Sequence, residues 1–265
     1  MAAVEWYIRE YRCDNGICFK TKFPVRVSES VRKAYSIRRT EIRRAEKGAT
    51  EAKHEAARLM NCNFRAGRDF YLGLDYSDEG IERLTDRAGE SDRDSIYHAA
   101  EHEAGLFIRR VQRECKKRGV ELRYLYVTSD LDGHTFEDVR VHHHMVVNAE
   151  AVEICLQKWY CGGTWAKKLR ARSYGDLTEL AEYMIGQVRY FKGAKRYTPS
   201  RNLKRPVARK PVKARDPEAE LAVPRGCKKI WRGEYYHGRP QHLRYYRPPD
   251  DPLREDEDWS GGDAA

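Results

Sequence analysis

Residues 140–148 constrain the fold more than any other segment, because three consecutive histidines stand among β-branched and apolar residues. Such a composition favours a β-strand, in which successive side chains point to opposite faces of the sheet. His142 and His144 are therefore expected on one face and His143 on the other. Two imidazoles on one face of a rigid strand suit a divalent metal ion. The alternatives are a histidine-rich turn, or histidines that only form hydrogen bonds within a half-buried strand.

Other segments show the periodicity of regular structure. Residues 69–75 and 122–128 are short apolar and aromatic runs typical of strands, whereas residues 94–118 have apolar side chains at helical spacing. A further helix is predicted over residues 176–190. The order strand, helix, strand, strand, helix predicts an α+β fold, in which helices pack on a central antiparallel sheet and the histidines lie on an inner strand.

The two ends of the chain differ from the middle. Residues 1–60 are predicted to form a hairpin, roughly from Trp6 to Val25, and then a basic helix from Ser28 to Met60 that is polar on all faces. We interpret this helix either as an arm over a phosphate backbone or as a solvated connector. Residues 61–206 are predicted to be the catalytic domain.

Residues 207–265 are predicted to be a basic and aromatic extension. Aromatic residues are interleaved with basic ones in residues 231–237 and 243–247, and these segments would either stack unpaired bases or form a terminal hairpin that completes the fold. From Asp250 to Asp263 the chain has seven acidic residues and one basic residue. A flexible, disordered acidic tail is therefore expected.

The charge of the chain indicates the kind of partner. A formal net charge of +10 and an isoelectric point near 9.2 favour a polyanion such as nucleic acid. The sequence has no apolar stretch of membrane-spanning length, no secretory signal and no metal-binding spacing among its seven cysteines. We expect a cytoplasmic protein without a membrane partner. The motif G-x-x-x-x-G-K-[ST] does not occur, so no nucleotide cofactor is expected.

The predicted helix that begins at Asp176 carries the second chemical feature. Asp176 and Glu179 have the spacing of a capping box, and Tyr183, Gln187 and Tyr190 fall on one helical face. Aromatic residues at this spacing often belong to a core, but Tyr183 lies beside the apolar stripe. A tyrosine phenolate can attack a phosphodiester whose charge is offset by a divalent ion. Together, the tyrosine and the histidine pair predict phosphodiester chemistry.

Four stretches, in this order, resemble the motifs of one enzyme family: residues 61–76, residues 140–148, residues 180–185 and residues 195–206. On these motifs the chain resembles the HUH endonucleases, in particular the rolling-circle replication initiator (Rep) proteins of phages, prophages and small plasmids. The resemblance implies an RRM-like fold. It also implies site-specific nicking and joining of single-stranded DNA through a 5′-phosphotyrosine intermediate, which leaves a 3′-OH primer.

The resemblance implies a metal site as well. His142 and His144 are expected to bind Mg²⁺ or Mn²⁺, and the loss of the middle histidine is expected to matter least. Asp130 is preferred as the third ligand, over Glu137 and Glu179, because it closes the strand that should neighbour the histidine strand.

Tyr183 is the expected nucleophile, and Tyr190 is expected either to be a second nucleophile or, more simply, to pack or stack on a base. The expected partners are single-stranded or supercoiled origin DNA, a host helicase and a replication polymerase. Contacts to DNA are expected from a set of basic residues around the motifs: Arg140, Arg189, Lys192, Lys195, Arg196, Arg201, Lys204 and Arg205.

Two positions depart from the family pattern. Gly186 stands where a lysine is common, one helical turn after the tyrosine, so charge assistance is expected from Gln187, Arg189, Lys192 or the metal. Gly73 stands where a threonine is usual. The alternative functions are a transposase or relaxase with the same chemistry, and a non-catalytic DNA-binding repressor.

Overall fold

The computed structural model describes residues 4–26, 41–189, 195–233 and 239–249, except for the side chains of residues 26 and 41–47. Tyr190, Lys192, the first part of the expected basic helix and the acidic tail lie outside the described residues. In the described part of the chain, no helix combines the length and apolar character needed to cross a membrane. The chain divides into two compact units, one of them Ala45–Lys204 and the other formed by both chain ends, Met1–Arg44 and Arg205–Ala265.

The described helices and strands follow one another in this order: β1 (Val4–Arg12), β2 (Ile17–Arg26), α1 (Glu41–Asn63), β3 (Phe70–Asp75), α2 (Asp78–Ala88), α3 (Arg93–Arg118), β4 (Tyr124–Leu131), β5 (Asp138–Val147), α4 (Val152–Lys158), β6 (Thr164–Lys168), α5 (Thr178–Gly186), β7 (Thr198–Pro199), β8 (Val207–Ala208), β9 (Val212–Lys213), β10 (Lys228–Arg232) and β11 (Gln241–Tyr246). A 3₁₀ turn at Ala149–Ala151 precedes α4.

The unit formed by the chain ends contains one antiparallel sheet in the order β10-β11-β2-β1-β8, with β9 also paired to β1. The expected N-terminal hairpin is β1 and β2, joined by a turn in which Gly16 has a φ of +84°. Strand β11 pairs with β2 and buries Tyr245 beside Ile8 and Cys18. The basic and aromatic extension thus forms strands that complete the N-terminal sheet. This differs from the expected division into separate terminal segments at residues 60 and 206.

The unit Ala45–Lys204 contains the second sheet, in the order β6-β3-β5-β4-β7, with all neighbours antiparallel. The histidine strand β5 lies at the centre, as predicted. The α+β class with antiparallel sheets is confirmed. Helix α2, which buries only Gly80 and Leu84, and the five-residue edge strand β6 were not predicted.

One face of this sheet forms the main core. Leu72 and Met145 are fully buried there and belong to one cluster with Phe107 of α3. Helix α3 has nearly the predicted bounds and ends at Gly119, whose φ of +66° is favourable for glycine.

Helices α1 and α5 position the candidate site. The expectation that α1 is polar on all faces is wrong for its C-terminal half, where Leu59 and Met60 are fully buried. At the end of α1, the Asn61 side chain accepts a hydrogen bond from the Leu177 amide (3.0 Å) and donates one to Asp176 Oδ1 (3.2 Å). Asn61 therefore ties α1 to the beginning of α5, which ends at Gly186, earlier than predicted.

Candidate functional site

His142 and His144 lie on the same face of β5, with their Nε2 atoms 3.1 Å apart. His142 Nδ1 is 2.9 Å from the carbonyl oxygen of Arg140. A hydrogen bond to this acceptor requires a proton on Nδ1, which leaves Nε2 of the neutral ring unprotonated. Burial and the neighbouring His142 lower the pKa of His144 to about 4. The His144 imidazole is therefore neutral at neutral pH, the state in which it can bind a metal ion.

Gln187 brings a third donor atom to the histidine pair. Its Oε1 lies 3.1 Å from His144 Nε2, and its side chain is buried. Two hydrogen bonds fix Gln187. The Ser129 hydroxyl donates to the main-chain carbonyl oxygen of Gln187 (2.8 Å), and the side-chain Nε2 of Gln187 donates to the main-chain carbonyl oxygen of Tyr183 (3.2 Å). Ser129 stands opposite His142 in the pairing of β4 with β5. The strand beside the histidines therefore also positions the amide.

The two imidazole nitrogens and the amide oxygen fit a divalent cation, because nitrogen and carbonyl oxygen donors are both used by ions such as Mn²⁺. Among the described residues, no group of three or more His, Cys, Asp or Glu side chains is arranged to hold a metal. The third polar atom beside the two imidazole nitrogens is the amide oxygen of Gln187. His144 Nδ1 has no hydrogen-bond partner in the described structure, and the ring is instead stacked on Tyr71 at a centroid distance of 5.3 Å.

Tyr183 lies beside this site on α5. Its ring centroid is 6.2 Å from that of His144 and 5.9 Å from that of His134. The loop after β4 contacts the phenol so closely that a Cβ atom at Gly133 would overlap the Tyr183 hydroxyl oxygen. Burial and the nearby Asp132 carboxylate raise the pKa of Tyr183, so the phenol is protonated at neutral pH. Gly133 and His134 were not identified from the sequence, because a short polar loop has no periodic signal.

Asp130 does not lie with the histidines. Its buried carboxylate pairs with Arg93 (Nε to Oδ2, 2.5 Å) and Arg189 (Nη1 to Oδ2, 3.2 Å). Ser129 stands opposite His142 in the pairing of β4 with β5, and successive residues of a strand alternate between faces, so Asp130 follows on the face opposite the histidine pair. The other two candidates, Glu179, which pairs with Arg172, and the exposed Glu137, also form no three-residue metal-binding group with the histidine pair. Gln187 stands where a carboxylate was expected.

His143 points to the opposite face, as predicted, but it is completely buried. Nε2 is 2.9 Å from the Tyr76 hydroxyl and Nδ1 is 3.0 Å from Thr128 Oγ1. The ring also lies edge-on to Trp159. Burial and the two adjacent histidines lower its pKa to about 3. His143 is therefore a hydrogen-bonded core residue beneath the site, and its loss, which was expected to matter least, is now expected to lower stability.

Gly186 lies close to a lysine of α1. A Cβ atom at Gly186 would lie 3.9 Å from the Nζ atom of Lys53. A cation of another helix therefore lies close to this part of α5. Of the residues expected to assist, Gln187 contacts His144 and Arg189 is engaged by Asp130.

The basic residues expected to contact DNA fall into two groups. Arg140 pairs with Asp78, and Arg189 pairs with Asp94 in addition to Asp130, so both contribute to the structure around the site. The second group lies near β7, where the Ser200 amide donates to the Tyr124 carbonyl oxygen (2.8 Å). In that group Arg196 is half-buried, and the others are exposed: Lys195, Arg201, Lys204 and Arg205.

Comparison of the chain with protein-family models, curated proteins and solved structures gives no match.

Proposed function

We propose that this protein is a metal-dependent enzyme that nicks and rejoins single-stranded DNA and initiates rolling-circle replication. The main support is the proximity of a tyrosine to three converging donor atoms. The rings of Tyr183 and His144 are 6.2 Å apart, and His144 Nε2 lies 3.1 Å from both His142 Nε2 and Gln187 Oε1. An antiparallel sheet with a central histidine strand is compatible with the RRM-like fold of HUH endonucleases, and that assignment is part of the proposal.

In this proposal His142, His144 and Gln187 would hold Mg²⁺ or Mn²⁺. A divalent ion held there supplies Lewis acidity that offsets the negative charge developing on the scissile phosphate. Because an amide replaces the expected carboxylate, the three protein donors are uncharged. No ligand charge would then neutralise the bound ion, so its full positive charge would act on the phosphate.

Tyr183 is the proposed nucleophile. Its hydroxyl oxygen forms a bond to the phosphorus atom as the bond from phosphorus to the 3′ oxygen breaks, giving a 5′-phosphotyrosine and a 3′-OH end. The phenol proton passes to solvent and the departing 3′ oxygen takes up a proton. Because one phosphodiester replaces another, the reverse reaction with a 3′-OH rejoins the strand.

The charge of the chain supports a nucleic-acid substrate. The formal net charge is +10, and Lys195, Arg201 and Lys204 are exposed near β7. Such residues bind phosphates without reading sequence. Since no ATP-binding motif is present, a host helicase would separate the strands and a replication polymerase would extend the 3′-OH.

A library of random single-stranded DNA tests the proposal, because such a library offers the enzyme many possible recognition sequences and the origin sequence need not be known beforehand. With Mn²⁺, the wild-type protein is expected to give a covalent adduct that survives SDS. The adduct is expected to be lost with EDTA and in His142→Ala, but kept in the control His98→Ala, an exposed histidine of α3. DNA binding without any adduct would instead support a repressor. A transposase or relaxase would also give the adduct, but the DNA recovered in the adduct would have the sequence of a transposon end or a transfer origin and not that of a replication origin.

A further inference from the structure

Trp165 lies on the edge strand β6, on the same sheet face as the histidine pair. Gly73 of β3 stands directly opposite Trp165 on one side and His144 on the other. Direct cross-strand partners point to the same face of a sheet. The indole occupies the space above Gly73, where a Cβ atom would overlap its Cε2 and Nε1 atoms. The absence of a side chain at position 73 therefore allows Trp165 to lie across the sheet towards the site.

Aromatic rings connect the sheet edge with the site. The Trp165 ring is 5.3 Å from the Tyr71 ring, edge to face, and Tyr71 is stacked on His144. Trp165 and His144 are 6.3 Å apart between ring centroids. Trp165 is half-buried, so part of its indole remains accessible to solvent. A flat ligand on that surface would lie against a ring whose centroid is 6.3 Å from that of His144.

The charges around Trp165 select an anionic ligand. Lys167 Nζ is 4.9 Å from the centroid of the Trp165 ring. Lys167, Lys168 and Arg170 are all exposed, and residues 164–172 contain no acidic residue. Aromatic surfaces with adjacent cations are the combination that holds unpaired bases and their phosphates.

We propose that Trp165 is the stacking platform for a nucleobase of single-stranded DNA next to the scissile phosphate. This rests on the proposed function for its substrate class. The base takes the place of the Lys167 ammonium on the indole, and the flexible lysine then pairs with a backbone phosphate. Because every base has a flat π-face, this subsite favours unpaired over paired DNA and has little sequence preference.

Binding without cleavage tests the platform. In a Tyr183→Phe background and in EDTA, fluorescence anisotropy measures affinity for labelled oligothymidine and for an abasic oligomer of equal length. Trp165→Ala is expected to weaken oligothymidine binding about 5- to 150-fold and to leave abasic binding unchanged, since stacking alone is removed. Trp165→Phe is expected to retain most of the affinity. The matched control is Tyr160→Ala, an exposed aromatic residue of the same unit that also has a cation over its ring, from Arg110.

A double-mutant cycle with Gly73→Ala gives a second test. The added methyl group is expected to displace the indole and weaken oligothymidine binding when Trp165 is present, but to have no further effect in Trp165→Ala. If Trp165→Ala binds oligothymidine as tightly as its parent, the platform is refuted, even if the wild type forms a covalent adduct. If the affinity falls as expected but the wild type forms no adduct, the proposed function fails and the binding site stands.

Discussion

The amide oxygen of Gln187 lies 3.1 Å from His144 Nε2, so the segment that carries Tyr183 also reaches the histidine pair. Gln187 follows Tyr183 by four residues and lies just beyond the end of α5. The hydrogen bond from Gln187 Nε2 to the Tyr183 carbonyl oxygen links the two positions directly. A displacement of this part of the chain would therefore affect both the proposed nucleophile and the third donor.

Replacement of Gln187 tests its role as a donor. Gln187→Ala is expected to weaken Mn²⁺ binding by about tenfold or more, because one of three protein donors is lost. Gln187→Glu is expected to bind Mn²⁺ at least as tightly as the wild type, because hard cations prefer carboxylate oxygen. Isothermal titration calorimetry of metal-free protein measures both, with the exposed Gln157→Ala as the control. Unchanged Mn²⁺ affinity in Gln187→Ala would show that the amide is not a ligand.

Asp130 is expected to act on stability and not on metal binding. Asp130→Asn removes the charge that pairs with Arg93 and Arg189, and breaking a buried ion pair typically costs about 3–5 kcal/mol. Urea unfolding is expected to show this loss, whereas the Mn²⁺ affinity of the folded variant stays the same. A large fall in Mn²⁺ affinity with unchanged stability would show instead that Asp130 is a metal ligand.

His143→Ala is expected to lower the free energy of unfolding by about 3–5 kcal/mol, because it opens a cavity and leaves the Tyr76 and Thr128 hydroxyls without their partner. Denaturant unfolding measures the change, with the exposed His98→Ala as the control. A loss under 1 kcal/mol, or about the size of a surface substitution, would contradict the account of His143 as a core residue.

His143 should also make stability depend on pH. Its pKa is about 3 in the folded protein and about 6.5 in an unfolded chain, so only the unfolded state takes up the proton between these values. Its contribution is complete above pH 6.5 and falls by about 1.4 kcal/mol per pH unit below it. Urea unfolding at pH 7 and pH 5 is expected to show a smaller decrease for His143→Gln than for the wild type. Equal decreases would contradict a neutral, buried His143.

Gly133→Ala is expected to slow adduct formation by about tenfold or more, because a methyl group there collides with the Tyr183 hydroxyl and small displacements of a reacting group are costly. The matched control is Gly163→Ala, since no atom lies within 4 Å of a Cβ at that position. Equal adduct rates for the two variants would show that the loop does not hold Tyr183 in its reactive position.

Local patterns predicted those parts of the site that depend on local geometry. Alternation along a strand gave the opposite directions of His142 and His143, and helical periodicity with Gly119 gave the bounds of α3. The position of Asp130 depended on the register of β4 against β5, and that of Gln187 on how α5 packs and where it ends. Neither has a sequence signal. The pairing of β11 with β2 joins residues more than two hundred positions apart, which periodicity cannot report.

The most direct test of the central claim identifies the residue that becomes attached to DNA. The covalent adduct from random single-stranded DNA and Mn²⁺ is digested with nuclease and protease, and the modified peptide is sequenced by mass spectrometry. The account predicts a 5′-phosphate linked to Tyr183 and no adduct from Tyr183→Phe. An adduct on another residue, or one formed undiminished by Tyr183→Phe, would contradict it.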